Sequence, residues 1–373
     1  IASRSNALEK RSYDMSQAEQ FVGTRPVSDA HAFDQAALSA WLSQHLPGFA
    51  GPLQVEMFKG GQSNPTYKLI TPGRTYVMRA KPGPTSKLLP SAHAIEREYA
   101  VMRGLAGTDV PVAHMHVLCE DESVIGRAFY VMDFVEGRVM WDQTLPGMAP
   151  TERGAIYDEM NRVIAALHTV DYKAQGLADY GKPGNYFERQ IGRWSKQYLA
   201  SVTTPIEAMD RLIEWLPANI PDSALDETEV SIVHGDFRLD NMVFHPTEPR
   251  VIAVLDWELS TLGDPLADFT YVAMAWVTEN GGRSGVQDLD RKALGIPELD
   301  EVVECYCKAT GRDSVPDMNW YFAYNFFRLA GIMQGIKKRV IDGTASSAHA
   351  KAMSERVQPL VDRATEFAKL AGM

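Results

Sequence analysis

Between Leu53 and Arg79 apolar and polar positions alternate with a period of two, the pattern of half-buried strands. Leu53 to Phe58, Thr66 to Thr71 and Thr75 to Arg79 are predicted as three strands. The turn signals Lys59 to Pro65 and Pro72-Gly73 separate them. The period then changes. Ser91 to Leu105 places Ile95, Tyr99, Met102 and Leu105 on one helical face, and strands return at His114 to Leu118 and Ala128 to Phe134. This first third reads as an antiparallel sheet with one inserted helix. After Gly137 a helical pattern opens at Pro150, with Ile156, Met160, Val163, Ile164 and Leu167 on one stripe. Further helices are predicted over Asn185 to Leu199, over Pro205 to Leu216, and from Pro265 to the end. Short β pieces at Val230 to Val233 and Val251 to Leu255 interrupt them. The organisation is therefore α+β: a smaller sheet-rich lobe over 28–135 and a mainly helical lobe over 136–373. Residues 1–27 are expected to be a disordered leader, in part an expression remnant with Met15 as the natural start.

Composition narrows the class. Of 373 residues, 45% are apolar and 23% charged, so a sizeable core can form. A net charge of −11 disfavours a general nucleic-acid binder. No apolar run approaches the roughly 18 residues of a membrane span, and no signal segment is visible. Three cysteines, an odd number, read as reduced thiols, which predicts a cytoplasmic protein. Cys305 and Cys307 are two apart on a predicted helix and point to different sides. His114 and His116 share a strand face without a third ligand, so no zinc site is predicted.

The chemistry concentrates in His234-Gly-Asp-Phe-Arg-Leu-Asp-Asn241 and in the apolar strand that ends Asp256-Trp-Glu258. Phosphoryl transfer needs a group to orient the attacking hydroxyl, hard oxygen ligands for Mg²⁺, and positive charge beside the transferred group. Asp236 suits the first role. Asn241 and Asp256 suit the second.

This ordered set, followed by Gly263-Asp-Pro-Leu-Ala-Asp268, resembles the aminoglycoside phosphotransferase family over nearly the whole chain after about residue 30. The resemblance is greatest to the subgroup that also occurs fused to acyl-CoA dehydrogenases. It implies a two-lobed protein-kinase-like fold with ATP and Mg²⁺ as cofactors. It also implies Asp236 as catalytic base and Asn241 and Asp256 as metal ligands. Glu258 would lie just outside the metal's direct ligands. Gly61, Gln62 and Ser63 fall where that fold places its phosphate-covering loop, where glycines admit close backbone approach. Arg79 occupies the third-strand position that kinases give to lysine; Lys81, on the same strand parity, is its rival. Glu98 is the expected helix partner, with Glu96 as alternative. The adenine edge would meet backbone groups near Asp133 and Val135. Asp264 and Asp268 read as structural, and His168 and His234 as packed rather than catalytic.

The acceptor is expected to be a small molecule with a hydroxyl group. Subgroup resemblance favours a hydroxyacyl-CoA or hydroxy acid; an aminoglycoside, choline or homoserine follows, and a non-catalytic nucleotide-binding module is the alternative. The aromatics of Asp317 to Gln334 read first as core and second as acceptor walls. Nothing in the sequence identifies an interface, so the oligomeric state stays open.

Overall fold

The computed structural model describes residues 23–59, 64–83, 94–182, 184–225, 229–280, 285–344 and 350–373. Gly61, Gln62 and Ser63 therefore lie outside the described residues, as does the start of the helix expected from Ser91. The chain folds into two compact units, which divide it differently from the expected boundary at 135. The first holds residues 1–107, 111–152 and 239–258; the second holds 108–110, 153–238 and 259–373.

In the first unit six strands form one antiparallel sheet: β1 (Thr24–Arg25), β2 (Gln54–Phe58), β3 (Thr66–Ile70), β4 (Thr75–Ala80), β5 (Met115–Cys119) and β6 (Phe129–Asp133). Their spatial order is β1-β2-β3-β4-β6-β5. β1 corrects the expectation of a leader through residue 27, because Thr24 and Arg25 pair with Phe58 and Met57. Helix α1 (Gln35–His45) was not expected either. Asp34 caps it, accepting from the amides of Ala36 and Ala37, and Leu38 and Leu42 bury against Tyr67, Tyr76, Met78 and Phe129. α2 (Ile95–Leu105) is the predicted inserted helix and buries Ile95, Glu98, Val101, Met102 and Leu105. β4 is central, so five of its six residues are buried, Arg79 among them.

The hairpin β8 (Met242–Phe244) and β9 (Val251–Val254) belongs to this unit rather than to the helical one. The reason is local bonding. The Val254 amide donates to the Pro111 carbonyl, Arg138 and Phe244 exchange backbone bonds, and the Arg138 side chain donates to the carbonyls of His245 and Glu248. Gly137 permits the approach: a Cβ there would lie 2.2 Å from the Phe244 carbonyl oxygen.

The second unit is helical. It contains most of α3 (Pro150–His168), then α4 (Tyr186–Ser201), α5 (Glu207–Ala218), α6 (Pro265–Ala273), α7 (Leu299–Thr310), α8 (Met318–Ile341) and α9 (Val357–Leu370). The short pair β7 (Ser231–Val233) and β10 (Thr261–Gly263) is antiparallel. α8 is the core helix of this unit and packs on α4, α5, α6 and α9. Its aromatics from Trp320 to Phe327 are all buried, as the core reading expected. Phe187 of α4 meets the Trp320, Tyr321 and Tyr324 rings at 4.9, 5.6 and 5.2 Å, mostly edge to face. Among the described residues no helix is long and apolar enough to cross a membrane.

Candidate active site

In the sheet unit the register of β4 places Arg79 opposite Tyr130 on β6. Arg79 Nε lies 2.9 Å from Glu98 Oε2, and its Nη2 lies 3.0 Å from Asp256 Oδ1 and 3.6 Å from Glu258 Oε2. Glu98 also accepts from Asn64 Nδ2 at 2.8 Å and from Tyr130 OH at 3.0 Å. Both members of the pair are buried, so the charges persist only because each is partnered. Burial opposes the Arg79 charge, but Glu98, Tyr130, Asp256 and Glu258 outweigh it and the guanidinium is held more firmly protonated than usual. Burial raises the Glu98 carboxyl, and Arg79 pulls it back without cancelling the rise. Lys81 pairs with Glu96 instead. The two cation–glutamate alternatives are thereby separated, and Arg79–Glu98 is the buried pair.

Asn241 and Asp256 sit at one end of the β8–β9 hairpin. The Leu255 amide donates to the Asn241 carbonyl at 2.8 Å, which brings Asp256 next to Asn241 along the ladder. Asp256 has φ of 63°, in the left-handed region that a non-glycine residue adopts at a cost of roughly 1–3 kcal/mol. Strain of this kind points to a side chain whose direction matters. An amide and a carboxylate beside one another are hard oxygen donors, and Mg²⁺ completes its shell with water and phosphate oxygens. Among the described residues no three His, Cys, Asp or Glu side chains group to hold a metal. The donor set fits Mg²⁺ carried on a nucleotide better than a resident all-protein cage.

In the helical unit, β7 delivers the His234-Gly235-Asp236 loop. Gly235 has φ of 80°, and a Cβ there would lie 2.9 Å from the Leu259 carbonyl oxygen. The loop hangs on α6. Asp268 accepts from the amides of His234 at 2.6 Å and Gly235 at 2.8 Å. His168 Nε2 lies 3.3 Å from Asp268, and its Nδ1 lies 2.7 Å from the Tyr306 hydroxyl. Burial keeps His168 neutral. Burial also opposes the Asp268 charge, but the hydrogen bonds from His168 and from the His234 amide hold that carboxyl below its ordinary range. Asp264 caps α6 by accepting from the Ala267 amide. Both aspartates thus accept from backbone amides, Asp264 at the helix start and Asp268 at the loop.

Asp236 Oδ1 accepts from Tyr271 OH at 2.6 Å and lies 3.4 Å from Arg238 Nε. Burial pushes this carboxyl up, but Arg238, the Tyr271 bond, Arg328 and His234 bring it below the usual carboxylate range. Arg328, on α8, is buried, donates to the Gly235 carbonyl, and lies over the Tyr271 and Trp194 rings.

Neither Tyr271 nor Arg328 was found from sequence as a site residue. The available signals were a tyrosine one turn beyond Asp268, and a lone cation in an otherwise buried aromatic run. Asp133 closes β6. Its amide is already donated to the His114 carbonyl, and its carboxylate takes Arg74 and His116, each at 2.6 Å. The Asp133 N–H is therefore engaged within the sheet. Val135 lies two residues beyond the end of β6.

A buried cation–glutamate pair on an antiparallel sheet, an oxygen-donor hairpin and a braced His-Gly-Asp loop define a phosphotransferase of protein-kinase-like fold. The model of the phosphotransferase enzyme family matches residues 54–302, and the chain belongs to that family. It is 44% identical over 352 residues to acyl-CoA dehydrogenase family member 10 of Mus musculus, covering 94% of this chain and 32% of that protein. Across the first such relatives the chain spans between about a third and just under a half of their length. A solved protein of Ralstonia eutropha JMP134, classed with the aminoglycoside phosphotransferases, is 62% identical with a TM-score of 0.84. That match covers 92% of this chain and all of that one. A spectinomycin phosphotransferase, solved with ADP and spectinomycin, shares the fold at 12% identity and a TM-score of 0.58, covering 90% of this chain and 99% of that one.

Proposed function

We propose that this chain transfers the γ-phosphoryl group of Mg-ATP to the hydroxyl of an anionic small molecule, a hydroxy acid or hydroxyacyl thioester such as a hydroxyacyl-CoA. Asp236 would accept the hydroxyl's proton. Asn241 and Asp256 would hold Mg²⁺, with Glu258 outside them. Arg79, oriented by Glu98, would offset donor phosphate charge. The loop of Gly61, Gln62 and Ser63 would cover the phosphates, and the backbone near Asp133 and Val135 would meet the adenine edge. When bound, Mg²⁺ supplies charge neutralisation at the donor phosphates. Family membership supports the reaction type, and the nucleotide-bound neighbour supports ATP.

One observation carries the acceptor class: the surplus of guanidinium charge around Asp236. Arg238 and Arg328 both act on its carboxylate. Arg193 and Arg356 are crowded by the same charges. Burial and then Arg328 lower the pKa of Arg193, and burial and then Arg238 lower that of Arg356. Like-charged neighbours disfavour a polycationic acceptor by repulsion and favour a carboxylate or phosphate. Choline and aminoglycosides carry the wrong sign.

The test is ADP release from Mg-ATP with a panel of hydroxyacyl-CoAs, free hydroxy acids, choline, homoserine and aminoglycosides. Stimulation by the anionic class, abolished in a folded Asp236→Ala chain, is the expected result. Stimulation by cationic acceptors alone would overturn the acceptor class. Mg-ATP binding without stimulation by any acceptor would point to a non-catalytic module.

A further inference from the structure

The mechanism above uses Asp236 but leaves its partner on α6 without a role. Tyr271 is 8% exposed, and its hydroxyl donates to Asp236 Oδ1 at 2.6 Å. A phenylalanine would fill the same space, so packing alone does not account for the hydroxyl. The tyrosine is itself fixed. The Arg328 guanidinium lies 5.2 Å from its ring centroid and donates to the carbonyl of Gly235, next to Asp236. Asp268, on the same helix as Tyr271, holds the His234 and Gly235 amides. Loop, helix and phenol are thus tied into one rigid group from three directions. Burial, and then the Asp236 charge, push the Tyr271 phenol well up, so it stays a proton donor across the accessible pH range.

We propose that Tyr271 is a positioning residue for phosphoryl transfer: its hydroxyl fixes the Asp236 carboxylate in the orientation that receives the acceptor's proton, and Arg328 clamps Tyr271 in place. This rests on the reading of Asp236 as the base. Among the described residues, the groups that act on Asp236 include His234 and Arg238 from its own loop, Tyr271 from α6 and Arg328 from α8. Tyr271 is a neutral donor to Asp236, and it can be silenced without changing the charge of the site.

The sign follows from that. A hydrogen bond to the ionised form lowers a carboxyl pKa, so deleting the donor raises it. In the full chain, Tyr271→Phe should lower kcat by about 100-fold, the scale of a misplaced catalytic group, with the KM for Mg-ATP unchanged. The acid limb of kcat/KM should move up by about one pH unit. Replacing Tyr271 with 3-fluorotyrosine, a stronger donor of nearly the same shape, should move that limb down. Titration of the Asp236 carboxyl carbon in ¹³C-labelled full chain, without substrate, should show the same two displacements. A carboxyl titration unmoved by Tyr271→Phe overturns the proposal, whether or not an acceptor has been found. A moved titration with an unmoved rate profile overturns the role in catalysis. Absence of turnover in the unaltered chain counts against the base assignment instead, and the carboxyl titration still decides the contact.

Discussion

The two units hold opposite charge arrangements. In the sheet unit one guanidinium, Arg79, lies within reach of three carboxylates, those of Glu98, Asp256 and Glu258. In the helical unit one carboxylate, Asp236, lies among Arg238, Arg328 and the Tyr271 hydroxyl. The first arrangement has negative charge to spare and suits a divalent cation that arrives with a nucleotide. The second has positive charge to spare and suits an anion. Neither pattern follows from the net charge of −11, which averages over both. Local sign, not overall sign, is what a transfer between a Mg-nucleotide and an anionic acceptor requires.

The largest effect should come from removing Arg79, the cation of the buried cluster in the sheet unit. Arg79→Met leaves Glu98 buried at 2% exposure, with the neutral donors Asn64 and Tyr130 among the described residues. Removing one member of a buried pair costs about 3–5 kcal/mol, because the other charge stays desolvated. Denaturant unfolding should show that loss. The double variant Arg79→Met, Glu98→Gln should recover most of it, since no charge is then stranded. Equal losses in the single and double variants would mean that shape rather than charge balance governs this cluster.

A smaller effect separates the carboxylates from one another. If Asp256 is a direct Mg²⁺ ligand and Glu258 an outer one, Asp256→Asn should weaken Mg-ATP binding by at least about 100-fold and Glu258→Gln by about 10-fold. Calorimetric titration at fixed Mg²⁺ measures both. Equal losses would place the two residues on the same footing and weaken the asymmetry that the strained backbone of Asp256 suggests.

Legibility from sequence followed length and periodicity. β2, β3, β4 and α2 were readable because each repeats its period over five or more residues. β1, β8 and β10, at two or three residues, are shorter than any period can mark. α1 was missed although Asp34 is a good cap, because Ala36, Ala37, Ser39 and Ser43 dilute its stripe. The candidate residues Arg79, Glu98, Asn241 and Asp256 were picked out by motif spacing, and the structure brings Arg79, Glu98 and Asp256 into contact. The Asp236 surroundings were not, because Tyr271 and Arg328 reach it from 35 and 92 residues away. Only the fold of α6 and α8 supplies that proximity. The grouping of the β8–β9 hairpin with the sheet was hidden for the same reason: it rests on bonds to Pro111 and Arg138, which no local pattern announces.

The smallest effect tests whether cations, rather than burial, separate the aspartates of the helical unit. Asp236 and Asp264 are both surrounded by protein, yet they shift in opposite directions. Asp264 accepts from the Ala267 amide at 2.9 Å and from Tyr321 OH at 3.3 Å, and the Arg312 charge offsets its burial only in part. Burial dominates there, and its pKa is raised from 3.8 to about 6. A carboxyl with a raised pKa binds its proton more tightly when folded. Its cost to stability is therefore absent below the unfolded value, grows between 3.8 and about 6, and is fully present above that. Asparagine caps a helix as well as aspartate does and carries no charge to desolvate. Asp264→Asn should therefore raise Tm by about 2 °C at pH 8 and leave it unchanged at pH 4. Thermal unfolding at the two pH values is the measurement. A gain of equal size at both would assign the effect to packing and remove Asp264 as the counterexample that makes the cation-rich setting of Asp236 informative.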